Sequence, residues 1–76
     1  MEEILRTVIE NLVENKEAVS IEKEEQKDRE IYKVKVDSSE MGKIIGKQGK
    51  IAHSIRTLMK ALGAKEHKKI EVEFVD

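Results

Sequence analysis

A helical pattern that stops at Gly46 and resumes directly after Gly49 constrains this chain more than any other feature of its sequence. Before the stop, Met41, Ile44 and Ile45 form the apolar side of a short helix that follows Asp37-Ser38-Ser39-Glu40. Ser38 suits an N-cap, and Asp37 with Glu40 three residues on has the form of a capping box. After the stop, Ile51, Ile55, Leu58, Met59 and Leu62 recur at helical spacing, and Gly63 is placed to close the helix at C′. A helix end needs one glycine for its positive φ. A second glycine three residues later, opening the next helix, needs a further reason. It lets the backbone approach a ligand closely, beside a helix N-terminus with unpaired N–H donors and partial positive charge. Lys47 and Lys50 flank those donors. Everything at the turn favours a phosphate.

The remaining pattern supplies a sheet for these helices to cover. Ile4, Leu5, Val8, Ile9, Leu12 and Val13 make an apolar stripe on a first helix, with Asn15 as its stop. Val19 and Ile21 begin a half-buried strand that runs into a polar stretch, 22–30, with a turn at Gln26-Lys27-Asp28-Arg29. Tyr32, Val34 and Val36 alternate with Lys33 and Lys35 as a second strand, and Ile70, Val72 and Phe74 alternate with Glu71 and Glu73 as a third. The expected fold is α+β in the order α-β-β-α-α-β, three helices packed on one face of a three-stranded sheet. At 76 residues the whole chain, 1–76, is read as a single domain.

Charge is divided along the chain in a way the net value of −1 conceals. Residues 1–30 carry ten acidic and five basic side chains, whereas residues 38–69 carry eight basic and two acidic ones. Residues 70–76 turn acidic again. One face is thus suited to an anion and another to water or a protein. The chain has no cysteine, an acidic N-terminus unlike a secretory signal, and no apolar run of the roughly 20 residues that a membrane span needs. A soluble, cytoplasmic protein is expected.

Other phosphate loops can be excluded. A P-loop requires a hydroxyl after its Gly-Lys, and neither Gly46-Lys47 nor Gly49-Lys50 is followed by one. A dinucleotide loop follows a strand, whereas this turn follows a helix. A helix–GxxG–helix turn is how the KH domain grips the backbone of about four nucleotides. The run Met41-Gly42-Lys43-Ile44-Ile45-Gly46-Lys47-Gln48-Gly49-Lys50-Ile51 resembles the I-G-x-x-G-x-x-[IL] core of KH domains. The element order resembles the type II arrangement with its mixed sheet, and the small size with the run from Ile44 to Ala61 resembles the KhpA family of stand-alone bacterial KH proteins. The likeness covers essentially the whole chain. One departure stands out: the apolar residue after the second glycine falls at Ile51, and Ala52 occupies the next position.

This resemblance implies that Gly46, Lys47, Gln48 and Gly49 contact a sugar-phosphate backbone, with Lys47 and Gln48 as the exposed tip. Ile45 and Met41, with Val34 or Val36, would line an apolar groove for bases; core packing is an equal alternative for each. Lys50 and His53 are favoured as backbone contacts on the following helix, and Lys43 adds long-range attraction. Arg56 sits at the edge of that face, with contact and simple solvation both open. Lys65, Lys68 and Lys69 read as loop solubility. The ligand the resemblance implies is single-stranded RNA, with the choice between RNA and single-stranded DNA left open, and the implied role is that of a post-transcriptional regulator or RNA chaperone. With one tyrosine and one phenylalanine there is little scope for base stacking, so a dissociation constant of about 1 μM is expected. The resemblance also implies a homodimer, or a heterodimer with a larger KhpB-type partner, and a protein-interaction module is the competing reading. Catalysis is not expected: Ser54 and His53 are sequence neighbours and point to different helix sides. His53 and His67 make no metal-ligand spacing with an acidic pair, and no cofactor is implied.

Overall fold

The computed structural model describes residues 1–75; Asp76, counted above with the acidic end, lies outside the described residues. Three helices and three strands follow in the expected order: α1 (Glu2–Glu10), β1 (Ser20–Glu25), β2 (Glu30–Lys35), α2 (Met41–Ile45), α3 (Lys50–Lys65) and β3 (Ile70–Phe74), with short 3₁₀ turns before β1, before α2 and before α3. The sheet order is β1-β2-β3, with β1 antiparallel and β3 parallel to the central β2. The type II KH order and its mixed sheet are thereby present. The polar stretch is the extended end of the β1/β2 hairpin, whose turn is closed by the Gln26 amide donating to the Arg29 carbonyl at 2.8 Å.

The sheet's two faces differ as the alternation requires. Leu5 and Ile9 of α1, Ile44 of α2, and Ile55 and Met59 of α3 share one core with Tyr32, Val34, Ile70 and Val72 of the strands. The opposite face carries rows of charge, with Lys33 between Glu22 and Glu73 in register. Such rows blunt a sheet face against association. Val34 and Val36 sit in the core, 0% and 4% exposed, so neither can line a groove for bases. Tyr32 is buried too, which removes it as a stacking platform. Among the described residues no helix is long and apolar enough to cross a membrane.

Several local expectations are corrected. The first helix ends at Glu10 with Asn11 as its cap, not at Asn15, and Val13 reaches the core from the loop that follows. Ile4, Ile51 and Leu58, placed on apolar stripes by their spacing, are exposed. The buried side of α3 is instead Ala52, Ile55, Met59 and Gly63. Gly63 does not end α3; it lies within the helix, against Lys68 and Ile70. The stop comes at His67, whose φ of 58° supplies the left-handed residue. The His67 amide donates to the Ala64 carbonyl and the Lys68 amide to the Gly63 carbonyl, the paired bonds of a Schellman motif.

The capping box is also replaced. Asp37, not Ser38, is the N-cap, accepting from the Ser39 amide. Glu40 does not reach back to Asp37. Its buried carboxylate accepts from the Glu14 amide at 2.6 Å and the Asn15 amide at 3.0 Å, with Lys43 Nζ 3.2 Å away. One side chain thereby ties the loop after α1 to the start of α2. Those donors, the Glu14 amide foremost, hold the Glu40 carboxyl below the usual carboxylate range. The unfolded chain therefore binds this proton more readily than the folded one. The stability involved is fully present above the unfolded-state pKa of about 4.3. It is lost as the pH falls through that value toward the lower folded-state one. A Glu40→Gln variant is expected to melt below wild type at neutral pH and to lose less on acidification. Thermal melts across an acid titration, followed by circular dichroism, check both.

Candidate nucleic-acid interface

The loop between α2 and α3 is built from backbone conformations that few residues adopt. Gly46 has φ 75° and ψ 175°, a region open essentially to glycine alone, and Gly49 is left-handed at φ 74° and ψ 14°. Gln48 between them is also left-handed, at φ 56° and ψ 25°. Two bonds brace this path: the Gly46 amide donates to the Gly42 carbonyl at 2.9 Å, and the Gly49 amide to the Gly46 carbonyl at 3.2 Å.

The two glycines serve different ends. A Cβ at position 46 would lie 2.7 Å from Ile51 Cγ1, so the isoleucine fills the space that glycine leaves. This accounts for the shifted apolar residue: Ile51 braces the loop from outside, while Ala52 is the one turned into the core, 2% exposed. At Gly49, by contrast, nothing lies within 4 Å of where a Cβ would stand. That position opens on solvent, at the start of a helix whose first turn has no side-chain cap. The Gly49 and Lys50 amides donate to the Gly46 and Lys47 carbonyls, and the helix dipole adds partial positive charge at this end.

Around this opening the fold gathers most of the residues singled out from sequence. Lys47, Gln48, Lys50 and His53 are exposed, and Gly46, Gly49 and Ile45 are half-buried. Lys47 and Lys50 form no ion pair among the described residues, so the loop presents uncompensated positive charge. Met41 is half-buried against the core. Two candidates are engaged elsewhere. Lys43 pairs with Glu40 and, at 3.9 Å, with Glu14. Arg56 donates from Nε to the Val72 carbonyl at 3.1 Å, and its guanidinium carbon lies 5.2 Å from the centre of the Phe74 ring. It spans the gap between α3 and the outer edge of β3. Its i and i+16 spacing to Val72 crosses a turn whose geometry no periodicity encodes, so this tie carried no signal in the sequence.

A helix–GxxG–helix turn beside a mixed three-stranded sheet, reached in the order α-β-β-α-α-β, defines a KH domain of type II. The family model described as KhpA/KhpB, KH domain, matches residues 2–74. The chain belongs to that family. It is 43% identical over 76 residues to the RNA-binding protein KhpA of Listeria monocytogenes, with all of both chains covered. It is 43% identical over 75 residues to the RNA-binding protein KhpA of Caldanaerobacter subterraneus, covering 99% of this chain and 100% of that one. To the RNA-binding protein KhpA of Aquifex aeolicus it is 34% identical over 76 residues, covering 100% of this chain and 96% of that one. No solved structure matches it.

Proposed function

We propose that this chain is a single KH domain that grips the backbone of about four nucleotides of single-stranded RNA through the loop at residues 46–49. The observation that carries the reading is the open backbone at Gly49, flanked by the exposed Lys47, Gln48 and Lys50 at an uncapped helix N-terminus. Relatives of the same length that are named as RNA-binding proteins support it. Gly46 to Lys50 hold phosphates, Ile45 offers an apolar edge to a base, and His53 stands one turn further along α3. Arg56 and Lys43 contribute charge from their paired positions. Single-stranded DNA is a second ligand, because none of these groups reads the 2′-hydroxyl. The setting is cytoplasmic, and the role is post-transcriptional regulation or RNA chaperoning.

Backbone contacts make a quantitative demand. Contact with about three phosphates predicts that log K falls with log salt at a slope near −2, at about 0.7 per phosphate for a single strand. Fluorescence anisotropy of a labelled oligouridylate across a salt series measures it. A slope near zero would overturn the clamp.

A second reading, pairing with another copy or with a KhpB-type protein, is favoured by Ile4 and Leu58, large apolar side chains left 44% and 41% exposed. Pairing would also raise the avidity of a weak single domain.

A further inference from the structure

The loop at 46–49 reaches positive φ at three of its four residues: Gly46 at 75°, Gln48 at 56° and Gly49 at 74°. Without a Cβ, a glycine passes easily between backbone regions, so a path of this kind is readily lost. Three backbone bonds restrain it. The Gly46 amide donates to the Gly42 carbonyl at 2.9 Å and fastens the entry to α2, and the Lys50 amide donates to the Lys47 carbonyl at the exit. The peptide between Gly46 and Lys47 sets the direction in which the exposed tip leaves α2. The bond to its carbonyl, from the Gly49 amide, is a longer one at 3.2 Å.

Ile51 adds a side-chain restraint at that point. A Cβ at position 46 would meet its Cγ1 at 2.7 Å and its Cβ and Cδ1 at 3.0 Å each. The isoleucine therefore occupies the side of Gly46 on which a side chain would otherwise stand, and closes that side to the peptide as well. Ile51 is the second residue of α3, and a β-branched side chain in a helix has one strongly preferred χ1. The contact is thus about as stiff as the helix that carries it. Core packing does not explain its place. Ile51 is 36% exposed and stands outside the core cluster, while its neighbour Ala52 is buried. A large apolar side chain left there, beside a loop of glycines and cations, is accounted for by what it restrains.

We propose that Ile51 is the positioning residue of this loop, its side chain seated against Gly46 so that the RNA-free loop already has the path a strand requires. The inference rests on the clamp reading and deepens it. A loop held in its bound path loses less conformational freedom when the strand arrives, and binds more tightly for that reason alone. The departure from the KH core pattern acquires a purpose: with the apolar residue one position early, its side chain falls on the loop and not in the core.

The test compares wild type with Ile51→Ala and Ile51→Val, using anisotropy on a labelled hexauridylate, thermal melts, and ¹⁵N relaxation of the RNA-free proteins. Ile51→Ala removes the atoms that press on Gly46 and should weaken binding about tenfold, or about 1.4 kcal/mol. That is the order of fixing one residue's backbone. Its salt slope should match wild type, since no phosphate contact is removed. Alanine is the better helix former and the site is half in solvent, so the melting temperature should stay within a few degrees. In the free protein the order parameters of Gly46 and Gly49 should drop from about 0.85 to below about 0.6. Ile51→Val keeps the branch at Cβ and loses only Cδ1, so it should hold the loop rigid and bind within about threefold of wild type. Equal affinity of Ile51→Ala and wild type would overturn the positioning role and leave the clamp standing. Weaker binding with the free loop still rigid would overturn it too, since Ile51 would then be touching RNA itself. If wild type bound no RNA, the clamp reading would fall, and the role of Ile51 with it.

Discussion

A Lys47→Asp/Gln48→Asp double variant is expected to lose single-stranded RNA binding by at least about a hundredfold while melting within a few degrees of wild type. A hundredfold is about 2.8 kcal/mol. One lost charge-assisted hydrogen bond accounts for roughly 1.5–3 kcal/mol, and two carboxylates set against phosphates add repulsion. Stability should be spared for reasons specific to this loop. Both side chains are exposed. Position 48 is left-handed, at φ 56°, a conformation in which aspartate is several-fold enriched. New negative charge beside the N-terminus of α3 interacts favourably with the helix dipole. Anisotropy titration and a thermal melt of the same sample check the two halves together. If the folded variant bound RNA as wild type does, the loop would not be the clamp. If pairing with a second copy or a KhpB-type protein is the chain's work, the variant should instead keep that partner.

The largest effect on stability is expected at Gly63. A Cβ there would lie 2.8 Å from the Lys68 carbonyl oxygen and 2.9 Å from two atoms of Ile70. The first of these is backbone, in the segment that the Schellman bonds fasten to the end of α3, so it cannot swing aside as a side-chain tip can. Gly63→Val is expected to destabilise by about 3 kcal/mol, at the upper end for overpacking. That corresponds to a melting temperature lower by about 15 °C for a domain of this size. Total stability at this length is about 4–11 kcal/mol, so the loss is a large share of it. Gly63→Ala should lose less, because removing a helical glycine returns about 1 kcal/mol of propensity. Differential scanning calorimetry measures both, and an unchanged melting temperature for the valine variant would show that the α3–β3 junction yields easily.

These two glycine-dependent features were legible to different degrees. The loop at 46–49 was readable because its signals are local: two glycines three apart, an interrupted helical period, and lysines on either side. Gly63 was visible as a glycine but was assigned to a cap, since a C′ glycine and one demanded by close packing look alike in a sequence. What separates them is the position of Ile70, set by the turn at His67, a left-handed residue without a glycine's signature. Glu40 is a similar case. Its spacing from Asp37 spells a capping box, yet its carboxylate goes to amides 25 and 26 residues away. The exposed Ile4, Ile51 and Leu58 carried the right spacing for burial, but which side of a helix is covered depends on where the sheet lies.

By itself the sequence determined the element order, the alternation that gives the sheet one covered face, and the double-glycine loop between two helices. All of these follow from local backbone preference and the periods of helix and strand. The tertiary structure alone decided which cations are committed and which are left over. Charge pairing depends on distances between residues remote in the chain. Folding ties Lys43 to Glu40, Arg29 to Glu71 and Arg56 to the Val72 carbonyl. It leaves Lys47, Lys50, Lys60 and Lys69 without an ion-pair partner among the described residues. A count of lysines along the chain shows a basic segment; only the folded chain shows which of its charges are paired and which are free.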